Sequence, residues 1–135
     1  MSWQAYALIS TFLYGLWGVF GKLAANHIGF KSLFVYDCLM FALGGLLVYW
    51  LNDFELETNP QGVIFSLLYG LTGMVATLFF ILAISKGPVS VITAITAIYP
   101  VVTIAIALLF LNEVITLKQV AGAALAMLGV ILMVI

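Results

Sequence analysis

Asp37 is the residue whose type most demands an explanation. It is the only acid inside one of the long apolar stretches of the chain, residues 32–51. A carboxylate at such a position costs several kcal/mol unless it is paired, protonated or used. Three roles are open to it: an ion pair with Lys22, a shallow solvated acid, or a proton or substrate site. Lys22 lies three residues before the end of the preceding apolar stretch, 5–25, on the same side. The stretch 89–111 carries a second polar feature. Ser90, Thr93, Thr96, Ala97, Pro100, Thr103 and Ala107 fall within roughly 140° of arc at about 100° per helical residue. Pro100 has no N–H to give the Thr96 carbonyl, so a kink and a free acceptor are expected there. Either the threonines bond to their own helix and the stripe packs, or the stripe is a wall facing substrate.

Catalytic chemistry is not expected. A single His27 and a single Cys38 cannot close a zinc site, and no plausible Ser/His/Asp set, carboxylate pair or phosphate-cradling glycine loop is present. The reading is therefore not an enzyme, with no catalytic residue, no metal and no cofactor. Cys38 cannot form an intrachain disulfide. A net charge of −1 offers no basic stripe for nucleic acid.

The elements that must carry these residues follow from composition. Of 135 residues, 66% are hydrophobic and 7% charged, against about 25% charged in an average soluble domain. A water-soluble monomer of this length needs more polar surface than that, and disordered chains are richer in charge. The apolar residues form five blocks, 5–25, 32–51, 62–85, 89–111 and 117–135. Each is long enough to cross a hydrocarbon core of roughly 30 Å as a helix. Continuous apolar runs exclude the alternating segments of a membrane barrel. The first block has no Lys or Arg in residues 1–10 and is read as a span rather than a signal peptide.

Helix punctuation agrees with these blocks. Asn59-Pro60 reads as an N-cap with proline at the first helical position. Lys86-Gly87-Pro88 reads as a last-turn cation, a left-handed glycine and a helix-ending proline. Thr116 and Gln119 fit a capping box. Trp3, Tyr49 and Trp50 sit near helix ends and read as an interfacial belt. Glycines at 15, 18, 70, 73, 122 and 129 form small-residue faces suited to close helix packing. Short loops make a single compact unit of five antiparallel helices over residues 1–135. Three lysines on one side (Lys22, Lys31, Lys86) against Lys118 on the other favour the N-terminus outside and the C-terminus inside. The small margin also permits insertion in both orientations.

The C-terminal third has a joint pattern: Ala83-Ile-Ser-Lys-Gly-Pro-Val-Ser-Val91, Tyr99-Pro100, Leu111-Asn-Glu113, Thr116, Gln119-Val-Ala-Gly122 and Leu128-Gly129-Val130. With Leu13-Tyr-Gly-Leu-Trp-Gly-Val-Phe-Gly-Lys22 it resembles the EamA domain of the drug/metabolite transporter superfamily. The resemblance implies an all-α membrane protein and a secondary transporter, often an exporter of metabolites, amino acids or drugs, in the cell (inner) membrane. Typical members pair two five-helix repeats of opposite topology, with substrate at their interface. This chain is read as one repeat. The missing half is then most simply a second copy inserted upside down, or else a small paralogue. The resemblance places Trp17, Lys22, Thr93, Thr96 and Tyr99 on the pathway, beside Tyr14 and Thr103. Asp37 stands where similar single-repeat sequences more often carry a neutral polar residue. Besides membrane lipid, the partners implied are a small-molecule substrate and a second five-helix chain. A lipid-linked-sugar flippase subunit and a non-transporting scaffold or assembly subunit are the alternative readings.

Overall fold

The computed structural model describes residues 2–110 and 114–134, with Val134 described in its backbone alone. Met1, Ile135 and the Leu111-Asn112-Glu113 part of the C-terminal pattern lie outside the described residues. Among the described residues the structure is helical, without strands. The helices are α1 (Trp3–Ala25), α2 (Phe30–Leu51), α3 (Pro60–Lys86), α4 (Val89–Thr96), α5 (Tyr99–Phe110) and α6 (Leu117–Val134). Trp3–Ala25, Phe30–Leu51, Pro60–Lys86 and the combined stretch Val89–Phe110 are each long and apolar enough to cross a membrane. Leu117–Met133 is a shorter apolar helix.

The caps are local chemistry. Asn59 Oδ1 accepts from Gly62 N at 3.1 Å, which starts α3. Thr116 N donates to Gln119 Oε1 at 2.8 Å and Gln119 N donates to Thr116 Oγ1 at 3.4 Å, the reciprocal pair of a capping box. α2 ends differently from a glycine cap. Phe54 N reaches Tyr49 O at 3.0 Å and Asp53 N reaches Trp50 O at 3.2 Å, a Schellman arrangement. Asp53 and Phe54 hold φ of 51° and 61°, and the Phe54 ring meets Tyr49 edge-on at 5.2 Å. The expected left-handed Gly87 is corrected: no described glycine has positive φ. A lysine side chain from α1 reaches the end of α3 instead.

The chain divides into two compact units, Met1–Lys86 and Gly87–Ile135. In the first, α1, α2 and α3 pack pairwise against one another. α1 and α3 run parallel with a constant register. Trp17 stacks on Phe80 at 4.9 Å, and one turn further a Cβ at Gly21 would lie 3.0 Å from Ile84 Cδ1. Gly18, Ile81 and Ile84 are buried along this seam. Tight approach at glycine is what holds helices together where lipid removes the hydrophobic drive. Only part of the small-residue pattern is used this way. Within its own unit, no side chain or neighbouring helix approaches within 4 Å of a Cβ built at Gly15, Gly70 or Gly73. Most large apolar side chains are exposed, Phe41, Phe65 and Tyr69 among them, as expected where the solvent is hydrocarbon rather than water.

In the second unit, α4 packs on α6. The expected helix over 89–111 is interrupted. α4 stops at Thr96, Ala97 and Ile98 form a turn, and α5 starts at Tyr99. Proline at residue 100 removes the donor that would continue the ladder to the Thr96 carbonyl.

Candidate functional site

The first unit gathers its polar groups around α1. Asp37 lies seven residues into α2, and Trp17 eight residues before the end of α1. At 1.5 Å per residue both lie about 10–12 Å in from the shared loop. The antiparallel pair therefore sets Trp17, rather than Lys22, opposite the acid, and Trp17 Nε1 donates to Asp37 Oδ1 at 3.2 Å. The other oxygen, Oδ2, is closed off and has no hydrogen-bond partner among the described residues. Lys22 is about 6 Å nearer the loop along the helix axis.

Lys22 Nζ donates to the Ile84 carbonyl at 2.8 Å. That carbonyl belongs to the last turn of α3, and its helical donor would be the N–H of residue 88, which is proline. A cation there meets the negative end of the helix dipole as well as an acceptor the sequence has deprived. Asp37 and Lys22, considered above as an ion pair, thus direct these hydrogen bonds to different partners.

Trp17 and Asp37 open on a groove of about 810 Å³ that runs along α2 past Phe41, Gly44, Gly45 and Tyr49. Gly44 and Gly45 have nothing within 4 Å of a Cβ position, so they leave room in the groove wall. Sequence reasoning missed these α2 residues and read Tyr49 as interfacial belt. The available signal was the stride of three to four residues from Asp37 through Met40-Phe41, Gly44-Gly45 and Val48 to Asn52, one face of one helix.

The remaining sequence-selected residues are distributed as follows. Tyr14 is exposed on α1. Thr93 Oγ1 donates to Val89 O at 2.7 Å, Thr96 Oγ1 to Thr93 O at 2.9 Å and Thr103 Oγ1 to Tyr99 O at 3.3 Å. The hydroxyl protons are thus satisfied within their own helical stretch, while their oxygen lone pairs stay available. Tyr99 is 68% exposed at the start of α5. Among the described residues no backbone donor reaches the Thr96 carbonyl across the break. A smaller hollow of about 270 Å³ lies between the break and α6, lined by Ala97, Pro100, Gln119, Gly122 and Ala126. No group of His, Cys, Asp and Glu suited to a metal occurs among the described residues.

Four apolar helical stretches long enough to cross a membrane among the described residues, and an acid held inside one of them, define a multi-pass α-helical membrane protein. The chain belongs to the EamA-like transporter family, matched over residues 1–135, a domain of the drug/metabolite transporter superfamily. It is 30% identical over 76 residues to the uncharacterized protein MJ1333.1 of Methanocaldococcus jannaschii, an alignment covering 56% of each protein. The match thus spans little more than half of that relative. No solved structure matches the chain.

Proposed function

We propose that the protein is one five-helix half of a secondary transporter that moves a small metabolite, amino acid or drug-like molecule out across the cell (inner) membrane. A second unit of the same kind completes the pathway, most simply another copy of this chain inserted in the opposite orientation. The reading rests above all on the interruption between α4 and α5. It falls at Ala97-Ile98, near the middle of the apolar stretch Val89–Phe110. Broken backbone at that depth is tolerated in protein or beside a wet cavity, not against lipid. Discontinuous helices are also the usual walls of midplane transport sites. In this reading Tyr14, Trp17, Lys22, Thr93, Thr96, Tyr99 and Thr103 are the pathway residues. Asp37 serves the same pathway as its acidic group.

Single-cysteine scanning through 90–107, in a Cys38→Ala background, tests this. A membrane-impermeant thiol reagent should label positions 93, 96, 100 and 103 and spare 98, 102 and 106. In the same background Ser2→Cys should be labelled from both membrane faces if the copies are antiparallel. Uniform protection along 90–107 would sink the transport reading, and labelling of residue 2 from one face alone would sink the antiparallel pair.

A further inference from the structure

We propose that the Asp37 groove is a binding site for an organic ammonium ion carrying an apolar body. Asp37 has too few partners for its charge. A carboxylate about 10 Å into an apolar span has one donor, the Trp17 indole at 3.2 Å. Its second oxygen has none. A lone neutral donor at the long end of the hydrogen-bond range does not offset a buried charge, which requires pairing with an opposite one. Lys22 gives Nζ to the Ile84 carbonyl, and the groove wall running from Asp37 along α2 is apolar and aromatic. A cation arriving from outside this unit of the chain would supply the missing charge.

The groove defines what that cation looks like. Asp37 is half-buried and lines the groove. The charge is shared by both oxygens, so an ammonium on the groove side compensates the whole carboxylate through charge-assisted hydrogen bonding. Trp17 is held by its stack on Phe80 at 4.9 Å. Together with Phe41 it offers ring surface to a cation, a favourable contact once water is excluded. Beyond the acid, Gly44 and Gly45 leave space where side chains would otherwise stand. They lie seven and eight residues further along α2, about 10–12 Å, which is the length of apolar body the groove accepts. This inference rests on the transporter reading only for its purpose, since binding is measured without flux.

The test uses the purified full chain in detergent with Trp3→Phe and Trp50→Phe, so that Trp17 is the single indole. Hexylamine, protonated at neutral pH, is titrated against Trp17 emission, with hexanol as the uncharged probe of equal length. Hexylammonium should shift the emission saturably and bind at least about tenfold more tightly than hexanol. Asp37→Asn should abolish that preference, and Asp37→Glu, which keeps the charge, should retain it. Equal affinity for the two probes overturns the proposal. So does an Asp37→Asn protein that still prefers the amine. A third overturning result is no amine binding together with loss of the dimer in Asp37→Asn, which would assign the missing cation to a second copy. Amine binding combined with uniform protection in the 90–107 scan would keep this site and reject the transport reading.

Discussion

Replacing Lys22 by methionine removes one ammonium and keeps an unbranched stem of similar reach. In the structure that ammonium donates at 2.8 Å to the carbonyl of Ile84, a residue with no exposed surface. Proline at residue 88 denies the same carbonyl its helical donor. A hydrogen bond to a charged group contributes about 1.5–3 kcal/mol, and the acceptor left behind sits in a helix end that water reaches poorly. The helix dipole adds a few tenths to 1 kcal/mol in the same direction. Because Lys22 is half-buried, its own desolvation offsets part of this. The expected loss is about 2 kcal/mol, close to a thirtyfold shift in the folding equilibrium. Unfolding by sodium dodecyl sulfate in mixed micelles, followed by helical circular dichroism, measures it. Lys31→Met is the control. It makes the same change in net charge at the same end of the bundle, from an exposed position on α2, and should cost less than about 0.5 kcal/mol. Equal effects of the two substitutions would refute the reasoning, as would a Lys22→Met protein within about 0.5 kcal/mol of the parent.

Two further outcomes are expected. Gly21→Leu should force α1 away from Ile84 and cost about 1–3 kcal/mol by overpacking, with a loss of Trp17–Phe80 stacking visible in the near-ultraviolet spectrum. Gly15→Leu, where the Cβ position is open, should leave both readouts near the parent. Asp53→Gly should stabilise the α2 terminus by about 0.5–1 kcal/mol, because a left-handed φ of 51° burdens any residue with a Cβ. Asp53→Val should do the opposite in the same denaturation assay.

Much of the fold was legible because it depends on local terms. Apolar blocks longer than a bilayer is thick must be helices, since lipid offers the backbone no partners. The Asn59 and Thr116 caps follow from side chains three residues from the donors they serve. Pro100 announced a disturbance at Thr96, and the helix breaks there. Gly87 shows the limit of local reading. Its neighbours fit a left-handed cap, but the carbonyl that Pro88 leaves without a donor is met by Lys22, 62 residues earlier. Nothing within a few residues of Gly87 carries that information.

Asp37 makes the same point for the site. The sequence alone establishes that an acid lies inside an apolar stretch and must find compensation. Its partner is decided by the depth at which α2 begins. A start at Phe30 rather than Ser32 lowers the acid by two residues, from two below Lys22 to four, within one residue of the depth of Trp17. The groove is likewise a tertiary object. Phe41, Gly44 and Tyr49 are unremarkable apolar, small and belt residues until α1 settles beside α2 and aligns their shared face with Trp17. Segment type is set by solvent and backbone chemistry, which every residue carries with it. Pairing is set by register between helices, which exists only once they have packed.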